Sequence, residues 1–444
     1  MMNGKRKYKI VLLCWVIGVM TVSLWGGETA EEAAKIVKRP DGAPRYSDVS
    51  MRLFTKKKDQ AELKAGKAFH ITRADWCYIK DPEYIKMVHG LGWSFQGSLN
   101  AVTHNPEFAK RNEDGTPMLD HFNKPGRYWA DNENKEYQQW YLQQMVKWIE
   151  VGADSLQRDE PTTCRRTPIP EAAKFFKYIH PIFEKEIGRH ITISCNLAWN
   201  GSMFGGKGEP VAMLFDYGMV EMAKDKVRPD FFWDACKDAR EREKALVYTA
   251  HRNMGVDNYR LAIAGCYANG MLFMVPWDQY GGINKPRIFS KPEDMADLYG
   301  FVRANARYLD GYEDAAAVGY KLKDSRWEKN PILKVEQGEK VSCFVRAKPG
   351  EKNAEVVVHL IEWGEGQAFK IRLRNDAFFK DGKISAALLR PVAYEAGMHE
   401  KAEKTKDYSS LSRKTDLQTV EKDGWTIVEI PRLEPWGILI VSNQ

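Results

Sequence analysis

The sequence lacks the signatures that hold metals, nucleotides or acyl groups. Its nine His residues form no His-x-His or His-Glu-x-x-His pattern, and no Cys-x-x-Cys occurs, so neither a structural zinc nor a zinc hydrolase is indicated. No Gly-rich phosphate cradle follows the later apolar runs, and no Ser elbow or Cys/His nucleophile signature is present. No cofactor and no metal are expected. No apolar run after residue 25 approaches the length of a membrane span. Of seven Cys, one (Cys14) lies in an N-terminal apolar run. The other six, Cys77, Cys164, Cys195, Cys236, Cys266 and Cys343, are too irregularly spaced to read as a disulfide framework, and zero to two bridges are expected.

What is present begins with that N-terminal run. Lys5, Arg6, Lys7 and Lys9 precede the 16 apolar-rich residues Ile10 to Trp25, and small residues follow. Residues 1–30 read as a secretory signal peptide, the alternative being an uncleaved anchor. Cys14 lacks the preceding small residues of a lipoprotein box. A secreted or periplasmic location is expected. The basic cluster and apolar run hold four cations and no acid, so the net charge of +7 falls to +3 for the rest. Nucleic acid is therefore not an expected partner. Hydrophobic residues at 43% and charged residues at 29% suit a globular chain of 444 residues with more than one domain.

Residues 31–64 are charged and aperiodic and read as a leader. Residues 65–312 alternate short apolar runs with helical repeats, which predicts a parallel sheet. Eight strands are predicted, at 68–74, 93–99, 127–130, 153–158, 190–197, 211–216, 245–250 and 271–276. A helix with Tyr137, Tyr141, Met145 and Ile149 on one face precedes the fourth, and Gly152 ends it. The others run over 170–187, 229–243, 258–269 and 292–309. This is the size and rhythm of an α/β (β/α)8 TIM barrel, with a doubly wound open sheet as the alternative. From 315 to 444 the runs are short and β-like, separated by polar turns with no confident helix, which predicts a C-terminal antiparallel β-sandwich domain.

Barrel enzymes carry their chemistry at the strands' C-terminal ends. After the fourth strand stands Gln157-Arg158-Asp159-Glu160-Pro161. Around the sixth stand Asp216 and Glu221. After the seventh come His251 and Arg252 with no acid, which excludes the retaining clan whose nucleophile is a Glu on strand seven. Glycoside hydrolysis needs one carboxylate to attack or stabilise the anomeric centre and one carboxylic acid to protonate the leaving oxygen. Asp159 and Glu221 are the favoured pair, with Glu160 and Asp216 as further catalytic candidates. His70, Asp75, Trp76, Gln96, Asn100, Arg158, Asn196, Trp199, His251, Trp277 and Asp278 are the expected substrate-binding residues. They are amide, imidazole, indole and charged groups suited to sugar hydroxyls and ring faces.

The stretch from Asn132, an amphipathic helix leading into Gly-Ala-Asp-Ser-Leu-Gln-Arg-Asp-Glu-Pro, resembles the middle of barrel glycoside hydrolases of the α-galactosidase and α-fucosidase superfamily. The resemblance implies a nucleophile at Asp159, an acid/base at Glu221 or Asp216, and an appended sandwich. The Lys-x-Asp and Asp-Asp-x-Arg signatures of true α-galactosidases are missing. Two other readings stand beside it: a substrate-assisted N-acetylhexosaminidase that uses the adjacent Asp159-Glu160 pair, and a non-catalytic exported glycan-binding protein. A carbohydrate is the expected partner in all three. The sugar, its linkage and the oligomeric state are not set by the sequence.

Overall fold

A computed structural model describes residues 28–53, 60–162, 169–199, 208–279, 287–379 and 383–443. Eight parallel strands follow one another in chain order: β1 (Ser50–Arg52), β2 (Arg73–Cys77), β3 (Ser94–Asn100), β4 (Ser155–Asp159), β5 (Ile193–Trp199), β6 (Tyr217–Met222), β7 (Ala245–Ala250) and β8 (Leu272–Phe273). The circle closes just past β8, where Met51 bridges Val275 in parallel and the Val275 N–H donates to the Ser50 carbonyl at 2.8 Å. The chain is a TIM barrel with a C-terminal β-sandwich.

Three expected strand positions are corrected. The segment read as a leader contains β1, so the barrel begins at residue 50 rather than 65. The expected third strand is no barrel strand: Tyr128–Trp129 pairs antiparallel with Val102–Thr103, in a flap between β3 and the next helix. Missing one strand and adding another cancel, so 155–159 remains the fourth. The expected sixth strand at 211–216 opens instead as a helical turn, Glu209–Ala212, with Pro210 in its first turn. Proline is pre-organised there because its fixed φ suits the helix and its missing N–H has no helical partner anyway. The true β6 starts one residue after Asp216.

Helices α2 (Gln60–Ala68), α3 (Pro82–Gly90), α4 (Lys135–Glu150), α5 (Ile169–Ile187), α6 (Pro229–Arg240), α7 (Val256–Ala268) and α8 (Pro292–Ala304) cover the barrel; α1 (Ala30–Ala33) precedes it. The start of α4 is fixed by Asn134, whose side-chain oxygen accepts the N–H groups of Glu136 and Tyr137 at 2.9 and 3.0 Å. Gly152, at φ +104°, turns the chain back toward β4. Tyr137, Tyr141, Met145 and Trp148 form the buried stripe of α4, and Gln138 is also buried and donates to the Asn132 carbonyl. Trp148 packs so closely on β3 that a Cβ at Gly97 would lie 2.4 Å from its ring. Only glycine therefore allows this helix to seat on this strand.

Residues 313–443 form two antiparallel sheets. Strands β9 (Glu313–Gly319), β11 (Val341–Ala347), β12 (Val356–Glu362), β18 (Trp436–Asn443), β14 (Ile384–Pro391) and β15 (Ser412–Leu417) make one, in that order. Strands β10 (Leu333–Glu336), β13 (Phe369–Arg374), β17 (Trp425–Ile430) and β16 (Thr419–Lys422) make the other. Val358, Leu388 and Leu439 of the first share one buried core with Ile371, Leu373 and Val428 of the second. A one-turn helix at Asn375–Phe378 and the longer α9 (Ala396–Thr405) were not expected there. The sandwich seats on the barrel through fully buried Trp436, which stacks on Tyr267 of α7.

The last residues of the segment read as a signal, 1–30, overlap the described structure. Thr29 caps α1 in a reciprocal box with Glu32, and Ala30 and Ala33 are buried in the sandwich core. Thr29 and Ala30 are part of the folded protein. Residues 1–27 lie outside the described residues, and among those described no helix is long and apolar enough to cross a membrane. Cys77, Cys195, Cys236, Cys266 and Cys343 are buried, unbridged thiols; Cys164 lies outside the described residues.

Candidate active site

Strand alternation decides which side chains of β4 enter the barrel. Gln157 reaches inward to the Met219 sulfur of β6 at 3.3 Å. Arg158 points outward, its guanidinium 4.8 Å from the Tyr141 ring and 5.6 Å from that of Phe176, so it is not placed to bind substrate as expected. Asp159 then points inward at the C-terminal end. It lies in register with Asn100 of β3 and Asn196 of β5, so the three side chains share one level of the mouth.

Asp159 is held by three donors. Tyr78 donates its hydroxyl to Oδ2 at 2.8 Å, Asn100 Nδ2 donates to Oδ2 at 3.1 Å, and Asn196 Nδ2 donates to Oδ1 at 3.2 Å. Burial raises its carboxyl above the ordinary value, with the Glu221 charge adding to the rise, while the Tyr78 and Asn196 bonds and Arg52 oppose it.

Glu160 would face away from the mouth if the strand simply continued. Instead its backbone takes φ +51°, a conformation rare for a residue with a side chain. Its carboxyl is buried enough to be raised to about 8, first by desolvation and then by the charges of Asp159 and Glu221. Oε2 is buried without a hydrogen-bond partner among the described residues, and Oε1 lies 3.8 Å from His121 Nδ1. Two adjacent residues thus set a carboxyl with three donors beside a buried carboxyl raised to about 8.

Glu221 lies on the same inward face of β6 as Met219, two residues closer to the mouth. Its Oε2 is 2.6 Å from His251 Nδ1, which follows β7. Asp159, Glu160, Glu221, Asn100, Asn196 and His251 are therefore brought together. Trp199 stands beside Glu221 in register; its side chain lies outside the described residues. Trp277 follows β8 and meets Phe289 edge-on at 5.1 Å, while the Asp278 side chain is outside the described residues.

Five other expectations are corrected. Asp216 precedes β6 and lies at the opposite end of the barrel, accepting the Ile193 N–H at 2.7 Å and facing His190 at 3.3 Å. His70 lies in the interface with α9, 2.8 Å from His399. Asp75 is buried inside the barrel, accepting from Nε and Nη2 of Arg73 at 2.7 and 3.0 Å and from the Ser50 hydroxyl at 2.6 Å. Gln96 is buried beside it, its amide nitrogen against Tyr217, Ser194 and the Leu156 carbonyl. Both are interior polar groups whose hydrogen bonds are made within the fold. Trp76 is 4% exposed, under the Arg52 guanidinium at 4.0 Å, and offers no free face to a sugar. The residues missed are Arg52, hidden in the supposed leader, His121 on the flap, and Tyr78. Only Tyr78 carried a signal, standing two residues after Trp76 and hence on the same side of an extended run.

No family model matches the chain, and no curated protein matches it in sequence. Solved structures do match in fold. An α-L-fucosidase, isoenzyme 2 from Paenibacillus thiaminolyticus, superimposes with a TM-score of 0.58 at 9% identity, over 90% of this chain and 100% of that one. The α-amylase from H. orenii gives 0.54 at 11% identity, over 89% and 99%. The cyclomaltodextrin glucanotransferase CldA gives 0.51 at 12%, over 90% and 100%. The likeness is one of fold. Among the described residues no group of three or more His, Cys, Asp or Glu is placed to hold a metal ion.

Proposed function

We propose that this chain is a glycoside hydrolase acting on oligo- or polysaccharides, with Asp159 as the anionic carboxylate and Glu160 as the proton donor. The observation that carries the reading is the pairing of a carboxylate surrounded by donors with a neighbouring buried carboxyl raised to about 8. Glycoside cleavage needs those two protonation states at one pH. The glycosidases among the structures of like fold support the same class. Glu160 protonates the departing oxygen as the glycosidic bond breaks, Asp159 faces the positive charge that develops at the anomeric carbon, and water adds to that carbon, its proton passing to the Glu160 carboxylate to restore the acid. Glu221, favoured as donor on sequence grounds, is engaged by His251 and acts here through its charge, which holds the proton on Glu160.

The adjacent pair also favours a second reading, in which Asp159 orients a substrate N-acetyl group that itself attacks the anomeric carbon. Purified protein assayed on aryl glycosides with and without a 2-acetamido group, and on algal and mucin glycans, tests both. Hydrolysis confined to 2-acetamido sugars selects the second; hydrolysis of none, by a protein that still binds glycans, leaves a binding protein. For Asp159→Asn, activity on every substrate is lost under either catalytic reading. We also propose export by the N-terminal segment, with a mature chain that begins no later than Thr29, readable by N-terminal sequencing.

A further inference from the structure

Asp159 is reached by a chain of hydrogen bonds whose direction is fixed by chemistry alone. Trp76 Nε1 lies 3.3 Å from the Tyr78 hydroxyl oxygen. An indole N–H can only donate, so the Tyr78 oxygen accepts it. The Tyr78 hydroxyl donates to Asp159 Oδ2 at 2.8 Å. Burial and the Asp159 charge push the Tyr78 hydroxyl well above its ordinary value, so that hydrogen stays in place at working pH. Asn100 is fixed in the same way. Its Oδ1 accepts the Val102 backbone N–H at 3.0 Å, which turns Nδ2 toward Asp159.

The start of the chain is built at some cost. Trp76 sits in a left-handed conformation at φ +59°, inside a register shift between Ala74 and Cys77 in the pairing of β2 with β3. Such bulges re-aim side chains beside functional sites. Gln96 Oε1 accepts the displaced Trp76 backbone N–H at 3.3 Å, and Arg52 covers the indole at 4.0 Å. A regular strand would turn Trp76 and Tyr78 to one side at even spacing, without bringing the indole N–H back onto the tyrosine oxygen.

We propose that Trp76 and Tyr78 form a one-way hydrogen-bond relay that positions Asp159 as an acceptor-only, ionised carboxylate. Both are positioning residues acting through Asp159. The catalytic consequence rests on the glycosidase reading, but the relay itself does not, so its test has a readout independent of activity. Thermal melting is followed from about pH 4 to about pH 8 for wild type, Tyr78→Phe, Asp159→Asn and the double variant. A hydrogen bond to a charged group is worth more than one to a neutral group. The melting-temperature loss in Tyr78→Phe should therefore grow as pH rises and Asp159 ionises, and should shrink in the Asp159→Asn background. Trp76→Phe, which keeps the ring and deletes the donor, should show the same trend at smaller size. In the active enzyme, Tyr78→Phe should lower kcat by about 10- to 100-fold and move the acid limb of the rate profile upward, because the ionised form of Asp159 has lost a donor.

A Tyr78→Phe loss that is equal at both ends of the pH range and persists in Asp159→Asn overturns the relay. So does an active variant whose acid limb is unmoved. A wild type with no glycosidase activity overturns the functional reading alone, because the melting cycle still decides the relay.

Discussion

Asp159 and Glu160 are successive residues, and the Asp159 charge acts on the Glu160 carboxyl where Glu160 leaves the strand conformation for φ +51°. Burial and the charges of Asp159 and Glu221 raise the Glu160 carboxyl to about 8. In the proposed mechanism the active form has Asp159 charged and Glu160 protonated.

Activity should accordingly fall on the alkaline side near pH 8, as Glu160 gives up its proton, and kcat/KM profiles check this. For Glu160→Gln, rates on substrates with poor leaving groups should drop by about 10²-fold or more, and activated aryl glycosides much less. The same group makes a stability prediction. Its folded value lies above the ordinary 4.5, so the unfolded chain releases this proton first as pH rises. Stability is lost between about 4.5 and about 8. Glu160→Gln should melt higher than wild type at pH 7 and no higher at pH 4, by scanning calorimetry. An equal change at both would sink the assignment.

Glu221 is one of the charges that hold the proton on Glu160. Replacing it by Gln should move the alkaline limb to lower pH, by about half a unit or more, and leave a limb in place. If Glu221 were itself the donor, Glu221→Gln would abolish that limb and spare activated leaving groups. The pH–rate profile of this single variant separates the two.

Asp216 accepts the Ile193 N–H at the end of the barrel away from the mouth. Asp216→Asn keeps an acceptor there. It should cost about 1 kcal/mol or less of stability and leave kcat within about twofold of wild type. A large loss of kcat with an unchanged melting temperature would place this carboxylate in the chemistry after all.

His399 of α9 is buried 2.8 Å from His70, which is itself 3.3 Å from Glu403. Desolvation and the neighbouring imidazole lower His399 to about 4 from 6.5. The unfolded chain takes up this proton first, so the stability is present above about 6.5 and is lost as pH falls toward about 4. His399→Gln should flatten the melting-temperature slope in that window, even if it lowers the melting temperature at pH 7. An unchanged slope would show that the acid sensitivity lies elsewhere.

The barrel and the sandwich were legible because their signals are local. Alternating apolar runs, the Tyr137–Tyr141–Met145 stripe and Gly152 report which face each element buries and where it stops. Asp159 and Glu160 stand out in the sequence because they lie at the end of the strand that this helix feeds. Glu221 was also named, though from a strand drawn too early.

Other features were decided only by packing. Ser50–Arg52 is three residues long, too short for a periodicity, and becomes a strand because the circle needs a partner for β2 and Val275. Tyr128–Trp129 is as apolar as a barrel strand but finds Val102–Thr103 first. His70, Asp75 and Gln96 are polar residues near strands, and composition does not tell a hydrogen bond made inside a barrel from one offered to a sugar. The protonation of Glu160 could not be read from its neighbours in the chain, since it depends on a backbone angle and on charges from β4 and β6 meeting in a buried mouth. Local pattern determines which elements form. Which end of the barrel a carboxylate occupies, and whether it keeps its proton, is set by long-range contacts that desolvate it and by the charges they bring near.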